Sequence, residues 1–292
     1  MDISLALGGG GSKGNAHIGV LRRLEQEGFR MRAVAGTSFG GVVAVFYALG
    51  YTPDEIEEIF STFDQESLYG HFPEDEPSFM GLAGGVKWLR EKIGERTFSD
   101  LQIPCALTAV DLNSAKEILM SDGSLMNALL ATVAVPGIFP SQRADDWLLV
   151  DGGVLDPVPV APARSLSPRL PVVAVPLATP MGEPAQSWGL PRIRYLPQSI
   201  VDRLSRMRYA QAVDVILRSV DIMSRAVAEY RLAVDHPDVI IRPRVADIDT
   251  LAKVDVREIA KRGEQAVDAA LPKLKALFSW QNRAARSLRI WN

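Results

Sequence analysis

Histidine and cysteine are nearly absent from this chain: its 292 residues include three of the first and one of the second. One cysteine excludes an internal disulfide and any metal site built from several thiolates. Cys105 stands in the apolar run 103–110, where packing accounts for it better than nucleophilic chemistry. An excess of one charge is also lacking. The formal net charge of −3 argues against a general nucleic-acid binder, which carries a strongly basic domain. Internal repeats and low-complexity stretches are missing, which excludes solenoids and arrays. Long heptad runs are missing too, because 23 Gly and 19 Pro interrupt them. With 47% hydrophobic residues the chain is not disordered. A chain of this length buries about three quarters of its unfolded surface and needs no covalent staples.

A secretory leader is not expected. Residues 1–14 have an acid at position 2 and a short apolar stretch running into glycines, whereas a leader needs a positive start and a longer apolar core. The uncharged stretch 33–53 is long enough to span a bilayer. It contains Gly36-Thr37-Ser38-Phe39-Gly40-Gly41, however, and divides there into a strand-like and a helix-like part, so a buried strand and a buried helix fit better. The expected location is the cytoplasm, with peripheral contact at the inner membrane surface as a further option.

Hydrophobic periodicity predicts strands at 3–7, 31–35, 103–112, 116–120, 147–150, 171–176 and 239–242. It predicts helices at 16–27, 39–49, 53–63, 124–133, 199–234 (one helix or two) and 257–277. Residues 61–96 read as a surface excursion with one short helix that could cover a site, and 179–198 as a proline-rich loop. The opening βαβα order predicts an α/β fold with a parallel sheet covered by helices.

Leu7-Gly8-Gly9-Gly10-Gly11-Ser12-Lys13-Gly14 follows a strand and opens a helix. Glycines let the backbone approach a ligand, and unpaired N–H groups at a helix start favour an anion. Two chemistries use that design. Gly9, Gly11 and Gly14 match the G-x-G-x-x-G of a dinucleotide site, and the same amides could bind a transient oxyanion. The dinucleotide reading demands an acid at the end of the second strand, and here that strand ends on Gly36-Thr37-Ser38. Lys13 also misses the P-loop spacing, which places Lys directly before Ser or Thr.

Gly36-Thr37-Ser38-Phe39-Gly40 is a G-x-S-x-G between an apolar strand and an apolar helix. Such a turn strains the serine and projects its hydroxyl, while small flanking residues avoid clashes. Ser38 is therefore the candidate nucleophile. A serine hydrolase needs a base, usually His. His17 lies on the first helix just past the glycines and reads as a packing or loop-bracing residue. His71 lies in the irregular segment. His236, within Asp235-His236-Pro237-Asp238, is the one histidine with a triad-like chain order, but its surroundings look like a polar turn. Asp151, at a strand end before Gly152-Gly153, is the better candidate, since a partly desolvated carboxylate within hydrogen-bond reach can act as base.

Taken together, the glycine loop, the Ser38 elbow and Asp151-Gly152-Gly153 resemble the patatin-like phospholipases. His17-Ile18-Gly19-Val20-Leu21 and Ala131-Thr132-Val133-Ala134-Val135-Pro136-Gly137-Ile138-Phe139-Pro140 are similar to two further blocks of that family. The pattern over residues 5–153 is closest to bacterial members similar to the esterase domain of neuropathy target esterase. The resemblance implies a three-layer α/β/α fold, mainly parallel in its sheet, and a Ser-Asp dyad without histidine. Ser38 would be the nucleophile and Asp151 its base. The amides of Gly9, Gly10, Gly11 and Ser12 would form the oxyanion hole. Lys13, Gly14, Gly36, Gly40, Gly152 and Gly153 complete the motifs, and no cofactor or metal is implied.

The expected organisation is an acyl-hydrolase domain over 1–270 followed by a basic amphipathic tail, 271–292, packed on the same domain. The tail holds five basic and no acidic residues, and Leu274, Leu277, Phe278, Ala285, Leu288 and Trp291 fall near one helical face. It would dock on the core or, alternatively, lie on an anionic membrane. Between 33 and 86 there are nine acids and no Lys or Arg, which reads as a solvated helix face. Apolar residues in 72–88 and 188–196 could line an acyl pocket. The expected substrate is a (lyso)phospholipid or related lipid ester. A thioesterase or general carboxylesterase with the same dyad, a nucleotide-binding protein using the glycine loop, and a non-catalytic relative are the alternatives.

Overall fold

The computed structural model describes residues 1–183 and 208–279. The remainder of the loop expected over 179–198, the first part of the helix expected over 199–234, and the tail beyond 279 lie outside the described residues. The strands are β1 (Asp2–Leu7), β2 (Arg30–Thr37), β3 (Cys105–Asp111), β4 (Lys116–Met120), β5 (Gln142–Ala144), β6 (Trp147–Asp151), β7 (Val172–Val175) and β8 (Val239–Ile240). The helices are α1 (Ala16–Gln26), α2 (Phe39–Ala48), α3 (Pro53–Thr62), α4 (Ala83–Ile93), α5 (Leu125–Thr132), α6 (Val160–Leu166), α7 (Arg208–Asp235) and α8 (Val256–Ala276).

The described strands form one sheet in the order β5-β6-β3-β2-β1-β7-β8, with β4 paired to β3. The centre, from β3 through β2, β1 and β7 to β8, is parallel. β4 and β6 run antiparallel to β3, and β5 antiparallel to β6. Side chains alternate across a strand, so each central strand feeds two layers. Ile3, Leu5, Leu7, Val34, Val173 and Val175 join Ile18, Leu21 and Leu24 of α1 and Val43 and Phe46 of α2 in one core. Ala6, Ala35, Val172 and Ala174 join Val160 and Ala163 of α6 and Ala228 and Leu232 of α7 in another. Helices therefore cover both faces of a mainly parallel sheet, as the βαβα reading requires.

Residues 33–53 are a strand and a helix of this core, not a span: Ala33, Val34 and Ala35 of β2 and Val43 to Phe46 of α2 are fully buried. Among the described residues no helix is long and apolar enough to cross a membrane. Helix α3 starts on a capping box. Glu55 N–H donates to Thr52 Oγ1 at 3.3 Å, Thr52 N–H donates to the Glu55 carboxylate at 2.8 Å, and Pro53 takes the first helical position. Its acids are not merely solvated, since Arg22 of α1 binds Asp54 at 2.6 Å and Glu57 at 2.8 Å, and Arg257 of α8 binds Glu58 at 2.9 Å.

Helix α8 crosses α1 at near-backbone contact. A methyl group on Gly19 would lie 1.7 Å from the Ala260 carbonyl oxygen, and one on Gly263 would lie 1.9 Å from that of Ala16. The helix runs through position 270 without a break. Leu274 is fully buried, and Phe278 meets Phe29 edge-on at 5.9 Å. The described start of the tail thus packs on the core. The excursion at 61–96 contains α4, whose Trp88 stacks on Phe46 at 5.7 Å and touches Phe60 and Phe63. Trp88 belongs to the aromatic packing between α2, α3 and α4.

Candidate active site

The Ser38 turn is built by steric demand. Ser38 links β2 to α2 with φ 55° and ψ −131°, a conformation costly for any residue with a Cβ. A methyl on Gly36 would lie 2.5 Å from Gly41 Cα, and one on Gly40 would lie 2.4 Å from the Leu7 carbonyl oxygen. Only glycine lets β1, β2 and α2 converge this tightly. Helix α2 turns its positive end toward the serine. The Ser38 N–H donates to Thr132 Oγ1 at 2.9 Å, which anchors the turn to the end of α5.

Sheet register explains why Asp151 arrives at the same place. Along one edge of β3, Thr37 of β2 pairs with Thr108. At the next position β6 takes over, with Asp151 opposite Ala109. The opposite edge is filled by β4, whose Leu119 and Ile118 pair with those same two residues. Because β6 is antiparallel, the C-terminal ends of β2 and β6 point at each other, and the chain leaves both strands at one spot. Thr37 Oγ1 bonds Thr108 Oγ1 at 2.7 Å and donates to the Asp156 carbonyl at 2.9 Å, tying the two ends together.

Both polar side chains are nearly enclosed: Ser38 is 9% exposed and Asp151 5%. Burial raises the Asp151 carboxyl from 3.8 to about 6, against the opposing effects of a hydrogen bond with the Ser38 side chain and one from the Gly153 amide. The Gly153 N–H donates to Oδ1 at 2.7 Å. A methyl on Gly152 would lie 2.1 Å from Thr108 Oγ1, so the turn after Asp151 also requires glycine.

The glycine loop lies against the serine. A methyl on Gly9 would sit 3.1 Å from Ser38 Cβ. Its four candidate amides are not equivalent. Gly9 N–H donates to the Pro157 carbonyl at 3.0 Å, and Ser12 N–H to the Thr250 carbonyl at 2.9 Å. Among the described residues, the Gly10 and Gly11 amides have no acceptor. Gly11 has φ 56°, and a methyl there would lie 2.1 Å from the Thr250 carbonyl oxygen. Gly14 is packed on the Phe39 ring, 2.3 Å from where its methyl would stand. Close packing thus accounts for the glycines at 11 and 14.

The ionisable groups nearby have separate places. Lys13 is 5% exposed and its ammonium is held below its ordinary pKa by burial. Asp221, Asp249 and Asp247 favour its charge, while Arg225 opposes it. His17 is fully buried, with Nε2 2.8 Å from the Gly8 carbonyl oxygen. His236 sits in the turn between α7 and β8, beside Asp238, whose amide bonds the Val172 carbonyl at the start of β7. Since Val175, at the other end of β7, pairs with Leu7, His236 lies at the end of the sheet away from Ser38. Cys105 is buried in β3, with its thiol pushed up to about 12 by desolvation. Among the described residues no group of His, Cys, Asp and Glu could hold a metal ion.

Sequence reading missed Thr132, although it lies inside a block noted for its resemblance. It also missed Asp156 and Arg231. Asp156 is fully buried five residues beyond Asp151, and Arg231 of α7 reaches its Oδ2 at 3.0 Å. Burial pushes the Asp156 carboxyl up despite that guanidinium, with Glu117 and Asp235 crowding the same arginine. No local pattern distinguishes Asp156 from a turn residue.

A profile of the patatin-like phospholipase family matches residues 5–164, more than half of the chain. An uncharacterized NTE family protein of Mycobacterium tuberculosis is 34% identical over 187 residues, covering 63% of this chain and 51% of that protein. The chain thus spans about half the length of this relative. A lysophospholipase of Mycosarcoma maydis is 28% identical over 180 residues, covering 58% of this chain and 9% of that protein. The crystal structure of VipD from Legionella pneumophila superposes with a TM-score of 0.54 at 13% identity, covering 94% of this chain and 66% of that one. At that identity the likeness concerns the fold.

Proposed function

The chain belongs to the patatin-like phospholipase family, and from that premise we propose that it hydrolyses carboxylic esters of (lyso)phospholipids through Ser38 and Asp151. The observation that carries this reading is the meeting of the β2 and β6 ends on one edge of β3, which brings the strained Ser38 and the desolvated Asp151 carboxylate to one spot. The glycine loop beside it offers two amides without acceptors among the described residues.

The steps follow from that arrangement. Asp151 takes the Ser38 proton as Oγ bonds the ester carbonyl carbon. The carbonyl oxygen becomes an oxyanion that accepts from the Gly10 and Gly11 N–H groups, in a site where water is largely excluded. The tetrahedral centre collapses, the bond to the alkoxy oxygen breaks, and the leaving alcohol takes the proton from Asp151. Water then gives a proton to Asp151 and attacks the acyl-serine. The fatty acid leaves, and Oγ recovers the proton. A carboxylate raised to about 6 is ionised at neutral pH yet basic enough to accept a proton in the transition state. A lysophospholipase among the relatives supports the lipid substrate.

The nucleotide reading is less well supported. The space a pyrophosphate would enter over Gly11 and Ser12 is taken by the segment at Thr250 to Ala252, which accepts from Ser12 N–H and from Ser12 Oγ at 2.6 Å.

The test is fatty-acid release from lysophosphatidylcholine, diacyl phosphatidylcholine and palmitoyl-CoA by the purified protein and its Ser38→Ala variant. Release from phospholipid that disappears in the variant supports the reading. Release from palmitoyl-CoA alone replaces it with a thioesterase, and release that survives Ser38→Ala removes the serine from the mechanism.

A further inference from the structure

The hydrolase reading leaves His17, a buried polar group of the site region, without a task. His17, in the first turn of α1, is fully enclosed. A carbonyl oxygen only accepts, so the 2.8 Å contact with Gly8 O requires Nε2 to carry the proton. Nδ1 is then a bare lone pair, and it has no partner among the described residues. A ring serving only to fill space would do better without either nitrogen, because burying an unsatisfied polar atom costs stability with no return. Burial pushes the ring down to about 4, so it stays neutral wherever the carboxylate of Asp151 is ionised. Its proton is committed to Gly8, which removes it as a base.

What the bond holds is the peptide between Gly8 and Gly9. Its carbonyl accepts from His17, and its N–H donates to the Pro157 carbonyl at 3.0 Å. Two glycines impose little steric preference on the rotation of the peptide between them. Hydrogen bonds therefore decide its plane, and the plane sets the course of the chain into Gly10 and Gly11.

We propose that His17 is a positioning residue of the oxyanion loop: its Nε2–H fixes the Gly8–Gly9 peptide and so aims the Gly10 and Gly11 amides at the acyl oxygen. This rests on the hydrolase reading, and the histidine acts through the backbone without touching substrate. His17→Gln places an amide N–H close to where Nε2 stands, whereas His17→Phe keeps a ring and loses the donor.

The experiment compares wild type, His17→Gln and His17→Phe in p-nitrophenyl butyrate turnover and in amide hydrogen exchange by NMR. For His17→Phe the expected result is a fall in kcat of about 10- to 100-fold, smaller than the loss of a whole oxyanion donor, with KM within about twofold. Gly9 N–H exchange rises at least about tenfold. His17→Gln recovers most of both. Equal kcat and unchanged Gly9 exchange in a folded His17→Phe overturn the inference. So does a His17→Gln variant that folds and is as impaired as His17→Phe. If wild type shows no Ser38-dependent turnover, the hydrolase reading falls, while the exchange comparison still decides whether His17 fixes the peptide. Should His17→Phe fail to fold, 15N spectra of wild type decide: the Nε2–H tautomer persisting to below about pH 5 is expected, and an Nδ1–H tautomer or titration near pH 6.5 overturns it.

Discussion

Replacing Asp151 by Asn should stabilise the protein while disabling it, and the gain should depend on pH. The carboxyl is 5% exposed, and its pKa stands at about 6 against 3.8 in an unfolded chain. Between those values the folded state binds the proton more tightly than the unfolded state, so stability falls as pH rises through that window. The shift of roughly two units corresponds to about 3 kcal/mol lost at pH 8, about half of that at pH 5, and little at pH 4. Asn carries no charge, and its Oδ1 can still accept from the Gly153 N–H. The variant should therefore gain about 1–3 kcal/mol at pH 8, a few degrees in melting temperature. The gain should vanish as pH falls below 4. Thermal melts of both proteins from pH 4 to pH 8, on folds verified by circular dichroism, read it out. The kcat/KM of wild type should rise with pH around a midpoint of about 6. A variant less stable at pH 8, or a difference that ignores pH, would refute the reasoning that a desolvated carboxylate sits at 151.

Other consequences follow from the same geometry. Ser38→Gly relieves the cost of φ 55° and should raise the urea midpoint by roughly 1 kcal/mol equivalent while abolishing turnover; a lower midpoint would show that the turn is not strained. Gly19→Ala drives a methyl into the Ala260 carbonyl, 1.7 Å away, and should cost upwards of about 3 kcal/mol in urea unfolding. A cost under about 1 kcal/mol would mean that α8 does not dock on α1 as described. Cys105, with its thiol pushed up to about 12, should resist iodoacetamide in the folded protein and react once urea unfolds it; rapid native labelling would contradict its burial.

The parts of this fold legible from sequence are those encoded within a few residues. Strand β1 ends at Leu7 because glycines follow, and α3 starts at Pro53 because Thr52 to Glu55 spell a capping box. Helix α6 carries no helical signal of its own: it has seven residues with Pro162 inside and is held by the sheet packing of Val160 and Ala163. Helix α4 has a weak local signal because it opens on Ala-Gly-Gly, and its helical state rests on Trp88 meeting three distant phenylalanines.

The site divides in the same way. The Ser38 elbow and the Asp151-Gly152-Gly153 turn are local patterns with local steric causes. Their meeting depends on β2 and β6 sharing one edge of β3, which no spacing along the chain encodes. Nor could the sequence distinguish the four amides of the glycine loop. Pro157 and Thr250, remote along the chain, take up Gly9 and Ser12, and among the described residues Gly10 and Gly11 are left without an acceptor.

The central claim, that Ser38 is a nucleophile activated by Asp151, is tested most directly by the rate at which a fluorophosphonate adduct forms, with the modified residue located by peptide mass spectrometry. The account predicts an adduct on Ser38 in wild type and a rate lower by at least about 100-fold in Asp151→Asn. An adduct elsewhere, no adduct in folded protein, or equal rates in the two would contradict it.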